Sequence, residues 1–439
     1  MSAGTRFADP RVLLLALLGW AFAVSTAAAE VPAPMQAGDP APVAGQPQPV
    51  VILLSWDGLR HDFPDLGDYP ALRRIEQQGA RAERLTPVFP ANTFPGHVSL
   101  ATGTYPDRHG IVDNDFLDRD AGAYHMSGDA NWLQAEPLWI AAERQGVKTA
   151  TYFWVGSEND WRGQGTSYRI APFDGSRPEA EKVDQILAWL ALPQAQRPRL
   201  IMSYWAGADN PGHRYGPDSD EVKQRIGQQD AQLGRLLDGL DRLAAWPYTT
   251  LLLVSDHGMA PAGRYLDLSG ALEDAGIRAT VMGGGVANVY LEDPAQLPEA
   301  LTVARSVVAG LEDARVYARG AIPAELRVAH PTRIGDLVVL AQSPYAFSRP
   351  GGWRGPLMNL MAWLGFGFGG HGYDPASPDM GATFMAMGRG VPAGLHLPAL
   401  HQIDVAPTAA RLLGIQAPRD SEGRPIAGID AAALSEQRP

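Results

Sequence analysis

Hydrophobic and polar positions along the 439-residue chain fall into two alternating rhythms. Pro49-VVILLSW-Asp57 and Tyr248-TTLLLVS-Asp256 are unbroken apolar and β-branched runs that each end on an acid, the pattern of a strand buried on both faces. Weaker runs of the same kind start at Val147, Arg199 and Leu337. Between them, apolar residues recur every three or four positions over Ala71 to Gln78, Glu181 to Leu192 and Val222 to Leu243, which predicts helices. The alternation predicts an α/β fold: a mostly parallel central sheet with helices on both faces, whose ligands gather at the carboxyl ends of the strands. From Ala260 to about Phe368 the rhythm loosens around Gly283-Gly284-Gly285, predicting a smaller inserted lobe before the chain returns at Gly369-Gly370-His371. No repeat with a period of about 20 to 50 residues is visible, which argues against solenoids and propellers.

At the amino end, Arg6 and Arg11 precede the apolar run Val12 to Val24, and Ala27-Ala28-Ala29 offers a small-residue cleavage site. Residues 1–29 therefore read as a signal peptide, and the product as periplasmic or secreted. The run is shorter than the ~20 apolar residues that a bilayer helix needs, so no stable membrane span is expected after cleavage. Residues 30–48, dense in Pro, Ala, Gly and Gln, read as a flexible linker; 49–417 as the catalytic domain, with the lobe at about 260–368; and 418–439 as a C-terminal tail. With 36 basic and 48 acidic residues the net charge is -12, which removes the basic excess that a long nucleic acid would require. A small phosphate ester stays compatible if metal ions reverse the field locally. The absence of cysteine excludes disulfides, a thiol nucleophile and cysteine-ligated zinc, so any metal is held by His, Asp or Glu.

Five short segments carry candidate chemistry. Asp209 and His213 stand four apart around Pro211 and Gly212, which oppose an ordinary helix interior and predict a loop bending both side chains onto one ion; the plain alternative is a polar turn. Asp256 and His257 sit side by side at a strand end before Gly258, facing neighbouring ions or solvent. His371 lies among Gly369, Gly370 and Gly372, which permit close backbone approach. Asp57 closes the first strand, as a ligand or as a helix cap. Thr93 stands two residues before Pro95, which can begin a helix and leave free amides for a phosphate; the alternative is Thr93 as a simple N-cap. A hydroxyl attacks at neutral pH only when a base or metal stabilises its alkoxide, so a threonine nucleophile and a set of His and Asp ligands explain one another.

These residues stand in order within Asp57-Gly58, Asn92-Thr93-Phe94-Pro95-x-His97, Leu100-Ala-Thr-Gly-x-Tyr-Pro-x-x-His-Gly-Ile-Val-Asp-Asn114, Phe153-Trp154-x-Gly-Ser157, Asp209-x-x-Gly-His213-x-x-Gly-Pro217, Ser255-Asp-His-Gly-Met259 and Gly370-His-Gly-Tyr-Asp374. With these motifs the chain resembles the nucleotide pyrophosphatase/phosphodiesterases of the alkaline phosphatase superfamily, as an exported bacterial member, from Asp57 to His371. The resemblance implies an alkaline-phosphatase-like domain with two zinc ions per chain. One would be held by Asp209, His213 and His371, the other by Asp57, Asp256, His257 and the Thr93 hydroxyl. It further implies that Asn114 donates to a phosphate oxygen, that Phe94 and Tyr204 sandwich a nucleobase, and that a threonyl-phosphate ester releases nucleoside 5′-monophosphate from a small diester or nucleotide.

Two departures touch the pocket and not the ligands: Gly96 replaces a common Asn, and Tyr204-Trp205-Ala206-Gly207-Ala208 lacks a second acid ahead of Asp209. The apolar stretch from Leu357 to Gly369 reads as packing or as a lid for lipid-like groups. Other reactions compatible with this ligand set are phosphomonoester, phosphonate and glycerophosphodiester (lipid-headgroup) hydrolysis. Monoesterases add positive charge for a dianion, and Ser157-Glu-Asn-Asp-Trp-Arg162 lacks the lysine found in related ones. A formylglycine sulfatase needs Cys or Ser where Thr93 stands. A non-catalytic binding protein would have lost a ligand or the nucleophile, and all seven residues are present.

Overall fold

Eight strands build the central sheet: β1 Val50–Trp56, β2 Gly79–Ala82, β3 Thr149–Tyr152, β4 Tyr168–Ile170, β5 Leu200–Trp205, β6 Thr249–Val254, β7 Phe384–Gly388 and β8 Leu395–Leu397. Their order in space is β8-β2-β7-β6-β1-β5-β3-β4. This computed structural model describes residues 47–348 and 368–430. The signal segment 1–29, nearly all of the 30–48 linker and residues 357–367 of the apolar stretch lie outside the described residues. Strands β6, β1, β5, β3 and β4 pair in parallel, β7 runs against both β6 and β2, and β8 is parallel to β2. Only β7 opposes the common direction, so the sheet is mostly parallel, as the sequence predicts.

Period-two alternation sends the residues of β1 to two different cores. Seven helices matter here: α1 Pro70–Gln78, α2 Thr93–Thr102, α3 Leu138–Arg144, α4 Glu179–Leu190, α5 Asp209–Tyr215, α6 Asp220–Arg242 and α7 Val405–Leu413. Val51 and Leu53 pack in the core shared with α2, α3 and α7, whereas Val50, Ile52 and Leu54 pack in the core shared with α1, α4 and α6. Every residue of β1 and β6 is buried, which accounts for their unbroken apolar spelling. The strands that sequence periodicity missed, β2, β4, β7 and β8, have three to five residues each or lie beyond the inserted lobe, too short for their pattern to stand out.

The lobe is a four-stranded antiparallel sheet, in the spatial order Ala279–Gly283, Val286–Leu291, Leu337–Leu340, Arg315–Ala318, packed with the helices Leu268–Asp274 and Leu297–Val307 around its own core. The chain enters through Ala260–Ala262 and leaves through Phe368–Gly370, which pair antiparallel with Gly370 opposite Ala260. That ribbon returns His371 to the neighbourhood of Asp256 and His257 after more than a hundred residues. Residues 418–430 lie against the domain, with Ile426 and Ile429 buried and Glu422 hydrogen-bonded to Thr104. No helix of the described residues is long and apolar enough to cross a membrane.

Candidate metal centre

Three adjacent parallel strands, β6, β1 and β5, deliver the acids. Asp57 follows β1 directly, Asp256 and His257 follow β6, and Asp209 opens α5 one short turn beyond β5. The turn after β5 is pressed against the end of β1: Ala208 N–H donates to the Asp57 carbonyl (2.9 Å), and a Cβ on Gly207 would stand 1.7 Å from that oxygen. A residue with a side chain cannot occupy position 207 in this arrangement. Gly96 is a second close approach, where a Cβ would lie 3.0 Å from the Asp256 carbonyl oxygen. A side chain at position 96 would fit only if the Asp256 turn gave by a few tenths of an ångström.

Asp209 and His213 are not in a loop. They lie on α5, at i and i+4, so one helical face presents both. Pro211 is the third residue of that helix, where no intrahelical N–H donor is required, and Gly216 ends it. Thr93 also departs from expectation: Asn92 is the N-cap and Thr93 the first residue of α2, with Pro95 third. The Phe94 amide donates to Asn114 Oδ1 (2.9 Å) and the Gly96 amide to the Asn92 carbonyl (2.9 Å), so the free amides expected at this helix end reduce to Thr93's own.

The three histidines share a pattern. His257 Nδ1 bonds the Gly258 carbonyl (2.8 Å), His213 Nδ1 the Gly369 carbonyl (3.0 Å) and His371 Nδ1 the Asn92 amide oxygen (2.7 Å). Since each partner only accepts, each Nδ1 carries the proton and each Nε2 presents a lone pair. Those Nε2 atoms face carboxylate oxygens: His257 to Asp256 Oδ2 (3.2 Å) and Asp57 Oδ1 (3.4 Å), His213 and His371 to Asp209 Oδ1 (3.2 and 3.5 Å). Asp57 Oδ1, Asp209 Oδ1 and Asp256 Oδ2 are buried and, among the described residues, have no hydrogen-bond donor. Lone pairs of two acceptors facing each other at this distance repel unless a cation sits between them. Among the described residues, two groups have ligand atoms within 4.8 Å of one another: Asp209, His213, His371, and Asp57, Asp209, His257. The first is the predicted set; in the second Asp209 stands where the resemblance implies Asp256, whose Oδ2 still lies beside His257.

Electrostatics point the same way. Burial, with Asp256 and Asp209 alongside, pushes the Asp57 carboxyl well above its usual range, even though the Tyr204 hydroxyl donates to it (2.7 Å). Burial, then His257 and His213, hold His371 well below its usual value. Burial resists charge on both Asp209 and His213, and the contact between them offsets it, lowering the Asp209 carboxyl and raising the His213 imidazole, so His213 Nε2 offers its lone pair to an ion only by giving up a proton there. Three crowded carboxylates need positive charge among them, and divalent ions supply it most compactly.

Thr93 Oγ1 donates to His257 Nε2 (3.1 Å), which puts the hydroxyl at the Asp57, Asp256, His257 end of the cluster. Two cavities meet at His213 and His371. One, of about 430 Å³, is walled by Thr93, Phe94, Phe153, Trp154, Phe173 and Tyr204; the other, of about 300 Å³, is walled by His213, Tyr265, Gly284, Gly370, His371 and Tyr373. Asn114 lines both, and its amide oxygen is engaged by Phe94, leaving its NH2 to donate into the site. All the sequence-named site residues thus converge. Sequence reading did not single out Asn92 and Asp113, linked at 2.6 Å, or the Gln402 amide that donates to the Asp256 carbonyl. The first two sit inside motifs beside Thr93 and Asn114, while Gln402 carries no local signal.

A family profile described as type I phosphodiesterase / nucleotide pyrophosphatase matches residues 51–374. The chain belongs to this family. As a type I phosphodiesterase it is 32% identical over 360 residues to a pyrophosphatase/phosphodiesterase of Schizosaccharomyces pombe, covering 78% of this chain and 71% of that one. It is 30% identical over 391 residues to human ectonucleotide pyrophosphatase/phosphodiesterase family member 1, covering 85% of this chain but 40% of the human protein. It therefore spans less than half of that relative's length. Among solved structures, murine ectonucleotide pyrophosphatase/phosphodiesterase 5 superposes with a TM-score of 0.75 at 26% identity, covering 84% of this chain and 96% of that chain. The same murine protein is known as an inactive threonine-to-alanine variant in complex with AMP. The fold is thus alkaline-phosphatase-like α/β, and the type I phosphodiesterase is a phosphodiester hydrolase carrying candidate metal-binding groups.

Proposed function

We propose that this enzyme hydrolyses small phosphodiesters and nucleotides in two steps through a threonyl-phosphate ester on Thr93, with two zinc ions, releasing a nucleoside 5′-monophosphate. The observation that carries the proposal is the trio of buried carboxylate oxygens without donors, facing imidazole lone pairs beside a threonine hydroxyl. Asp209, His213 and His371 would hold one ion and Asp57, Asp256 and His257 the other; bound there, they would lower the pKa of the attacking hydroxyl and neutralise the leaving oxygen. Thr93 Oγ forms the bond to phosphorus while the ester bond opposite breaks, and the departing alkoxide takes up a proton. Water then cleaves the Thr93 ester and regenerates the hydroxyl. Asn114 NH2 donates to a non-bridging oxygen, and Phe94 and Tyr204 flank a base, with stacking worth about 1–3 kcal/mol. AMP bound to the murine relative's threonine-to-alanine variant fits this reading.

A diester is favoured over a monoester because, among the described residues, no Lys or Arg lines the Thr93 cavity, and a dianion would want one. Bis-p-nitrophenyl phosphate should outpace p-nitrophenyl phosphate; the reverse order would overturn the assignment. Dialysis against a chelator should abolish turnover and zinc should restore it, with metal analysis giving close to two ions per chain. Asn92→Ala removes the acceptor that orients His371. Zinc affinity at one site, read by chelator competition, should fall about 10–100-fold. Unchanged affinity would show that Asn92 does not act through His371.

A further inference from the structure

We propose that the second cavity is the leaving-group subsite, and that it selects diesters with a neutral or cationic departing group over nucleoside triphosphates that release pyrophosphate. This inference rests on the reading of Thr93 as the attacking group. The rings of His257 and His371 stack with centroids 3.7 Å apart, and His371 and His213 follow at 4.9 Å, so the imidazoles form a row. Thr93 stands at the His257 end. In-line displacement puts the leaving oxygen across phosphorus from the attacker, toward His371 and His213. Both histidines line both cavities, but the second, walled also by Gly369, Gly370 and the lobe's Gly283, Gly284 and Gly285, lies away from Thr93, Asp57 and Phe94, which line only the first. The retained arm thus enters the aromatic slot, and the departing arm goes under the lobe.

The walls of this cavity define what departs. Gly285 lets the lobe close on the domain, since a Cβ there would stand 2.7 Å from the Tyr373 ring. The lining includes Asp115 and the buried Asp113, whose Oδ1 already accepts from Asn92 and the Asn114 amide, and, among the described residues, no Lys or Arg. Asp115 pairs with His125, a largely exposed residue on the neighbouring strand. The Gly284 amide is taken by the Val286 carbonyl, so it gives an anion no hydrogen bond. Pyrophosphate, with several negative charges, would lie near Asp115 with, among the described residues, no cationic side chain to hold it. An aromatic alcohol or a quaternary ammonium alcohol instead meets Tyr265 and Asp115.

The test keeps the retained arm constant. The full-length, zinc-loaded protein is given the p-nitrophenyl ester of AMP and, separately, ATP, and kcat/KM is compared. The ester should be preferred, and Asp115→Lys should cut the ester-to-ATP ratio roughly tenfold, with Asp115→Asn cutting it roughly threefold. If both substrates turn over but neither variant moves the ratio, or if wild type prefers ATP, the subsite assignment is overturned while the phosphodiesterase reading stands. Absence of turnover with either substrate would sink that reading instead. Circular dichroism checks folding, and if Asp115→Lys does not fold, the ratio in Asp115→Asn decides.

Discussion

Thr93→Ala should lower kcat for the p-nitrophenyl ester of AMP by about a thousandfold or more, equivalent to ~4 kcal/mol or more of transition-state stabilisation. The far-UV spectrum and the unfolding midpoint should stay as they were, because Thr93 is partly exposed and Asn92, not Thr93, holds the N-cap position of α2. The size of the loss follows from the route. If Thr93 Oγ forms the bond to phosphorus, its removal leaves only attack by water in a site shaped for a hydroxyl held 3.1 Å from His257. Acid quench of wild type during turnover of a labelled diester should leave label on the protein, and Thr93→Ala should leave none. A variant that keeps kcat within tenfold of wild type would show that water attacks directly and that Thr93 only helps to position the substrate.

The largest expected loss of stability lies away from the chemistry. Arg333, between the lobe strands Arg315–Ala318 and Leu337–Leu340, is buried with its Nε donating to Asp118 Oδ2 (2.7 Å) and its Nη1 to the carbonyls of Gly110 (2.7 Å) and Trp132 (2.8 Å). Its guanidinium also lies over the Phe116 and Trp132 rings, at 5.5 and 5.3 Å. The side chains of Arg333 and Asp118 are 6% and 5% exposed, so truncating one leaves the other buried and uncompensated. Arg333→Ala should destabilise the domain by about 3–5 kcal/mol in denaturant unfolding, whereas the pair replacement Arg333→Met with Asp118→Leu should recover much of that loss. A loss below about 1 kcal/mol for the single variant would mean that water or a rearranged neighbour compensates Asp118. Because the hairpin that carries Asp118 also carries Asp115, the same variant should raise KM before it lowers kcat.

Much of this was legible in the order of residues. Strands β1 and β6 announced themselves because both faces are buried, and burial on both faces demands an unbroken apolar spelling. Helices α1, α4 and α6 fell within two residues of the periodic stretches, because each lays one stripe on the sheet. Local reading misjudged Asp209 to His213, where Pro and Gly suggested a loop. A proline in the first turn of a helix breaks nothing, and only the position of the helix start, set by the Gly207 contact with Asp57, decides whether that turn forms. Thr93 was taken for a possible cap for a related reason: one residue of register separates cap from first turn, and no short-range preference resolves it.

By itself, the sequence determined the doubly covered parallel sheet, the placement of acids at its strand ends and the His, Asp and Thr side chains that meet there, but not Asn92, Asp113 or Gln402, because burial periodicity and side-chain chemistry are local properties of the chain. Tertiary structure alone decided which imidazole nitrogen is free, which carboxylate oxygens lack donors, and that the site opens into two cavities of different chemistry. Those features depend on contacts such as Asn92 with His371, Gly369 with His213, and the lobe's glycines with Tyr373. The residues in each contact are far apart in the chain and carry no mark of it until the lobe's two-stranded ribbon folds His371 back beside His257.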